Sequence, residues 1–451
     1  MASYRNKKRA YILNEEAYKV MHSPLTGGIL LIISSIVALI LSNLSATKEI
    51  YHYILSLEFT IGFENLNLTK SVEEWINDGL MVIFFFVVGL EIKREIIAGH
   101  LSTFKQAALP VAAALGGMLF PALIYLAFNV GQPTEPGWGI PMATDIAFAI
   151  GVCSLLGNKV PVAMKVFLAA LAIADDLGAI IIIAIFYSSH IDWHMLFAAL
   201  ITLAFLISLN LGGVKKIKYY ILPSILLWIW FLHSGIHATI AGVIIALTLP
   251  TTPRFNKKYF VYKSKYYTKC FEYEDQPGKE VLSNEEQLEC LQSLRKVACN
   301  AISPSQRLEY SLHYTIAFVI LPLFALANAG VEIDFGGLRN LVNSESLGIF
   351  FGLVVGKPLG IFLLSWISIK LGICTMPKAT TWFMLFAVGC LGGIGFTMSI
   401  FMDNLAFTDP VMISTGKVAI LVASVTAGLI GSFMIKWAHK ASGRHFPVYN
   451  S

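Results

Sequence analysis

The stretch "LAIADDLGAIIIIAIF", Leu171–Phe186, holds two adjacent carboxylates inside an otherwise apolar run. Extended from Val162 to Tyr187, the run is long enough to cross a bilayer, which takes about 20 residues. A carboxylate at the centre of a membrane helix costs about 2.5–3.5 kcal/mol on insertion scales, so Asp175 and Asp176 ask for a function. Neighbouring helical positions project about 100° apart, so one aspartate can meet a partner while the other faces a cavity.

Composition sets the class around this stretch. Of 451 residues, 56% are hydrophobic and 14% charged, with a mean hydropathy of +0.69. Soluble domains carry about 25% charged residues, so the chain reads as an all-α polytopic membrane protein. The balance of 33 basic to 28 acidic residues is too even to suggest nucleic acid. Six cysteines lie scattered without CxxC spacing, which argues against a disulfide framework or a zinc site, and no cofactor is implied. Ser-Ala after the first apolar run is a poor cleavage site, so 27–43 reads as a first span and not as a signal peptide.

Apolar runs predict twelve spans, near 27–43, 73–92, 106–127, 135–156, 163–187, 194–211, 217–231, 235–249, 308–328, 347–369, 383–403 and 412–435. With this count, alternate segments starting from the N-terminus carry 28 Lys/Arg, and those on the other side carry only Lys48, Lys70 and Arg339. The positive-inside rule then places residues 1–26 and 439–451, the two termini, in the cytoplasm. Spans one to eight occupy 27–251 and spans nine to twelve 307–438, separated by a polar cytoplasmic insert, 252–306. The seventh and eighth spans are the shortest. Within the insert, Ser283 and Glu286 form a capping-box pattern ahead of Leu288, Leu291, Leu294 and Val297, which predicts a short amphipathic helix; a solvated insert fits equally well. After the first span, "LEFTIGFE" (57–64) alternates apolar and polar residues and predicts a strand in an external hairpin at about 45–70.

The intramembrane charges share one depth. Asp145 in "PMATDIAFAIG", the doublet Asp175–Asp176, and Lys357 in "VVGKPLGI" all fall near the midplane of their spans at 1.5 Å per residue. A structural ion pair needs only one of these carboxylates. Two ionised carboxylates repel, and poor solvation raises their affinity for protons. Such a pair exchanges protons for a hard cation without covalent chemistry. Pro141 in the fourth span, and Gly389, Gly392, Gly393 and Gly395 in the eleventh, make continuous helices doubtful there, although glycine also serves close packing. If both spans are interrupted, Asp145 offsets positive N-terminal helix ends and Lys357 negative C-terminal ends. The two spans are seven apart and therefore cross in opposite directions.

"PMATDIAFAIGV", "LAIADDLGAIIIIAIFY", "GLEIKRE", "HSGIHATIAGVI", "RLEYSLH", "LPLFALANAG", "VGKPLGI" and "GIGFTMSIF" occur in the order found in the NhaA family of bacterial sodium/proton antiporters, which the chain resembles over nearly all but its insert. That family is itself one of the examples from which the inverted-repeat rule for transporters is drawn. The resemblance implies twelve helices, with spans three to five mirrored by ten to twelve and two interrupted helices crossing at the midplane. It implies Asp175 and Asp176 as the site of the transported Na+ or Li+, Thr144 and Asp145 at the fourth-span interruption, and Lys357 paired with the first aspartate. It also implies export of sodium against a larger number of entering protons, hence electrogenic transport, in a bacterial inner membrane. Glu91, Lys93, Arg94 and Glu95, with Arg307, Glu309 and His313, match a pH-sensing cluster; a plain interfacial salt-bridge network is the alternative. The family further agrees with a homodimer formed through the hairpin. Tyr310 replaces a histidine common in the family, and the insert is far longer than usual. His237 in "SGIHATIAG" reads as a packing or hydrogen-bonding residue.

Two rival readings share some features. An intramembrane aspartyl protease needs GxGD, absent here, and its PAL motif appears only as Pro121–Leu123, ahead of the aspartates. A sodium-coupled symporter of similar architecture needs an organic-substrate cavity, of which the sequence gives no sign.

Overall fold

The computed structural model describes residues 24–63, 66–188, 191–274, 284–332, 343–377 and 380–442. The termini 1–23 and 443–451, Ser283 and Arg339 therefore lie outside the described residues. Helices dominate. Among the described residues eight are long and apolar enough to cross a membrane, and the bent pair Trp382–Gly392 and Phe396–Ala406 makes up to nine. Helix Met81–Ala98 carries four charges near its end, and Lys218–Ser234 and Ala238–Thr248 are short, so these three fall outside that set. The protein is an integral multi-pass membrane protein on these features.

The apolar residues that a soluble fold would bury are exposed along the spans. Phe197, Leu200, Ile201 and Phe205 on helix Trp193–Leu211 are all more than half exposed, as a lipid-facing surface requires. Burial is concentrated instead in helix Val162–Phe186 and in the interrupted spans, where Thr144, Asp145, Asp175, Asp176 and Thr397 are all buried.

The chain divides into two compact units. The first comprises residues 1–84, 95–188 and 314–451. Its most extensive packing joins helix Phe104–Asn129 to Lys357–Lys370. Gly116 and Gly360 make that approach possible, because a Cβ on either would strike the backbone carbonyl of the other. The period-two stretch forms β1 (Glu58–Phe63), antiparallel to β2 (Leu66–Ser71) in the register Phe59 to Lys70 and Ile61 to Leu68. Ser71 then caps the next helix through a capping box with Glu74.

The second unit comprises residues 85–94 and 189–313. Helix Trp193–Leu211 packs on Lys218–Ser234, and Ala238–Thr248 packs against both. His237 caps the last of these, its Nδ1 lying 2.8 Å from Thr239 Oγ1. The insert differs from its expected form. It contains two helices, Lys257–Tyr273 and Glu285–Ala301, packed as a hairpin. The first was illegible because its aromatic and lysine residues follow no clean apolar stripe. The second starts at Asn284, whose side chain accepts from the Gln287 amide, in place of the expected cap at Ser283. A disulfide, Cys270–Cys290, joins the two helices and corrects the reading of the cysteines. Linear spacing cannot reveal a pair brought together by helix packing. Cys153, Cys299, Cys374 and Cys390 are free thiols.

Candidate functional site

Both glycine- or proline-marked spans break. The fourth runs as a 3-10 helix Glu135–Met142, extended backbone at Ala143–Asp145, and α-helix Ile146–Leu155. The eleventh bends by 49° between Gly392 and Phe396. Glycine serves both possible purposes at this break. A Cβ at Gly393 would strike the Leu353 carbonyl, and one at Gly395 would lie 3.1 Å from the Ala143 carbonyl. Glu135–Met142 packs on Phe396–Ala406, and Ile146–Leu155 on Trp382–Gly392.

At the crossing the backbone groups freed by the breaks find partners. The Asp145 amide donates to the Ile394 carbonyl at 2.7 Å. Its carboxylate caps two half-helices at once. Oδ1 accepts from the Phe148 amide at 2.9 Å, and Oδ2 accepts from the Thr397 amide at 3.2 Å and the Thr397 hydroxyl at 2.5 Å. A single negative charge thus lies at two positive helix ends.

Lys357 follows a π-helical turn, Gly352–Gly356, and is 1% exposed. Irregular turns of this kind often occur at functional sites. Its ammonium donates to the Met142 carbonyl, at the C-terminal end of the 3-10 half-helix, and to Asp175 Oδ2 at 2.8 Å. The Thr144 hydroxyl lies 2.6 Å from the same Asp175 oxygen and 3.0 Å from the Gly392 carbonyl; its one proton serves either. Asp175 Oδ1 is buried without a hydrogen-bond partner. Asp176 is equally buried on the same helix and acts electrostatically on Lys357. The ammonium therefore touches one aspartate and senses the other. Thr144, Asp145, Asp175, Asp176 and Lys357 thus come together from three spans, all in the first unit.

The residues matched to pH sensing divide differently. In the second unit Arg94 Nη1 pairs with the buried Glu309 at 2.5 Å, and His313 Nδ1 lies 4.0 Å from Glu91 Oε1. Lys93 donates to the Leu247 and Leu249 carbonyls at 2.6 and 2.5 Å. Arg307 lines a basic cavity with Lys215, Lys216, Lys218 and Arg254. Glu95 belongs to the first unit, where it is buried and accepts from the His100 amide at 2.7 Å. Tyr310 is 65% exposed.

Sequence reasoning missed Thr397, although "GIGFTMSIF" contains it, because a threonine in an apolar span carries no distinguishing pattern. It also missed a network of side-chain amides, with Asn328 2.8 Å from Asn77 and 2.7 Å from Asn404.

Crossed half-helices and buried opposite charges at the middle of the spans define a polytopic membrane protein with a charged centre. Comparison with known proteins makes this specific. The Na+/H+ antiporter 1 family matches residues 18–435, and the chain belongs to it. The chain is 46% identical over 408 residues to Na(+)/H(+) antiporter NhaA 2 of Syntrophotalea carbinolica, covering 90% of this chain and 92% of the relative. It is 45% identical to Na(+)/H(+) antiporter NhaA of Oleidesulfovibrio alaskensis, over 91% of each chain. It is 43% identical to Na(+)/H(+) antiporter NhaA of Escherichia coli (strain UTI89 / UPEC), over 92% of this chain and 96% of that one. The protein is a membrane transporter and not an enzyme, and its relatives' names do not favour the symporter reading.

Proposed function

We propose that this protein is an electrogenic sodium (or lithium)/proton antiporter of the bacterial inner membrane, exchanging ions at Asp175 and Asp176. The observation that carries the reading is the sharing of one lysine between a buried aspartate pair and a helix end. Two adjacent carboxylates in a low-dielectric site cannot both stay ionised without a cation. Sodium, a hard ion that takes oxygen ligands, supplies the charge, and its arrival releases the protons that otherwise do so. The Asp175 oxygens and the Thr144 hydroxyl offer ligands of that kind. Lys357 contributes a resident positive charge that Asp175 exchanges for the incoming ion, while Asp145 holds the crossed helix ends in place. Protons entering in excess of sodium leaving make the cycle electrogenic. The architecture we propose has twelve spans, counting Met81–Ala98, Lys218–Ser234 and Ala238–Thr248, with both termini cytoplasmic.

Everted vesicles test this directly. Adding sodium to energised vesicles should collapse the proton gradient, with lithium acting similarly and choline having no effect. No sodium-dependent proton movement would exclude antiport; movement only with an organic solute present would mean symport. Repeated over a pH series, the assay tests the proposed sensor at Glu91, Lys93, Arg94, Glu95, Arg307, Glu309 and His313. Glu309→Gln should displace the profile along the pH axis, since it unpairs the buried end of the Arg94 contact. An unmoved profile leaves that contact structural.

The β1–β2 ribbon supports assembly as a homodimer within the lipid bilayer. Among the described residues β1 and β2 form a two-stranded ribbon with Phe59 and Ile61 exposed, and a second copy can add a strand to its edge. Deleting residues 54–64 should convert the detergent-solubilised protein to monomer. A dimer mass that survives the deletion excludes the ribbon as the contact.

A further inference from the structure

The ion centre does not use every buried charge in the first unit. Asp403, on helix Phe396–Ala406, is fully buried, and neither carboxylate oxygen has a hydrogen-bond partner. Glu345, in the first turn of helix Ser344–Phe351, is 1% exposed, with Oε1 likewise unpartnered. Lys417, on helix Pro410–Ser442, is buried beside them, with Nζ 3.8 Å from Oε1 of the part-exposed Glu73. Helix Pro410–Ser442 packs on both other helices. Asp403 lies directly against Gly416, where a Cβ would sit 2.9 Å from Oδ2.

Several charged and titratable groups face Asp403 from the packed elements. Glu345 and Lys417 act on it electrostatically, as it acts on Tyr125 and Tyr187; Asp409 acts on Glu345, and Glu73 on Lys417. Neither tyrosine relieves the carboxylates. The Tyr125 hydroxyl donates to the Thr134 carbonyl at 2.7 Å and the Tyr187 hydroxyl to the Pro136 carbonyl at 2.8 Å. A buried carboxylate without a donor is among the costliest groups a membrane protein carries, and intramembrane ionisable residues mark ion pathways by default.

In the orientation proposed above, Glu73, Glu345, Asp403 and Lys417 all fall in the outer halves of their spans. Asp403 stands eight residues beyond the break at Gly395, about 12 Å along the helix. The series from the part-exposed Glu73 through Lys417 to Asp403 therefore stands at the outer end of the spans, about 12 Å short of the crossing.

We propose that Asp403 and Glu345, with Lys417 as counter-charge, form a proton-holding station that supplies the Asp175–Asp176 site from outside; this rests on the antiport reading above. A proton is the fitting occupant. It neutralises a carboxylate in place, whereas sodium would sit beside the Lys417 ammonium and be repelled. One proton added to the pair leaves one negative charge opposite Lys417, and its departure inward leaves two, so Lys417 keeps the emptied state accessible.

The test uses the purified protein in oriented proteoliposomes, with external pH varied at fixed internal pH and saturating internal sodium. Asp403→Asn and Glu345→Gln should each slow transport about 100-fold where external protons are scarce, the lower end of what losing a positioned proton-transfer group costs. At acidic external pH both should return to within about twofold of the parent, because bulk protons then reach the centre unaided. Sodium binding, read by isotherm, should stay unchanged. Infrared difference spectra on an external pH step should show a protonated-carboxyl band that Asp403→Asn removes. External pH profiles like the parent's in both variants, or a band that persists, overturn the station. Weakened sodium binding with an unmoved profile overturns it too, by making the site a cation site. If Asp403→Asn fails to fold, Glu345→Gln and its spectrum decide alone. Full activity of Asp176→Asn under the same conditions would instead defeat the antiport reading, whatever the station variants do.

Discussion

Purified Asp176→Asn will release no protons when sodium is added, and it will still fold. Asparagine is nearly isosteric with aspartate, so the packing of helix Val162–Phe186 is preserved. What disappears is one of the two charges on which exchange depends. With Asp175 already committed to the Lys357 ammonium at 2.8 Å, no second carboxylate remains to balance an arriving cation. Truncating one partner of a buried charge contact in a binding site costs about 2–5 kcal/mol of binding, roughly two to four decades in an equilibrium constant. Sodium affinity should therefore fall by at least about 100-fold on that scale, while the near-isosteric amide keeps the helix packed. Proton release at the parent's rate would remove Asp176 from the exchange site. Loss of the folded protein would show instead that its charge is structural.

Lys357→Glu should lose both stability and transport, whereas Lys357→Arg keeps most of each. Lys357 is 1% exposed and serves two acceptors, the Met142 carbonyl and Asp175 Oδ2. Glutamate deprives both of a donor and places a like charge against Asp175. Breaking a buried pair in this way costs about 3–5 kcal/mol, a large share of the stability of most domains. Alanine should be intermediate, since Asp175 keeps the Thr144 hydroxyl at 2.6 Å but the Met142 carbonyl loses its ammonium. Arginine retains the charge in a bulkier, planar head, so its cost is one of fit. The measurements are the thermal midpoint in detergent and sodium-dependent proton movement after reconstitution. A glutamate variant as stable and as active as the parent would exclude both roles of the lysine.

Some of this arrangement was legible before any coordinates. Pro141 and the glycines of the eleventh span marked the two breaks, and helix pitch placed Asp145, Asp175, Asp176 and Lys357 at a common depth. The alternation of "LEFTIGFE" marked a strand that pairs in β1 and β2. Other features were opaque. Nothing local separates Thr397 from any threonine in an apolar span, nor Asp403 from an aspartate at a span's end. No linear pattern in the insert pairs its cysteines, and only the packing of its helices brings Cys270 to Cys290.

By itself the sequence determined the membrane class, the position of each charge along its own span, and which two spans were open to interruption. Those properties follow from hydropathy, helical rise and backbone preference, which act within a few turns of chain. Apart from what the family resemblance implied, only the tertiary structure shows which aspartate meets the lysine. Asp175 and Asp176 are adjacent and chemically identical, but they project about 100° apart, so only the rotation of the helix against its neighbours distinguishes them. The Lys357 contact spans 182 residues and the Thr397 contact to Asp145 spans 252. At those separations, partners are selected by the packing of whole helices, which no local pattern encodes.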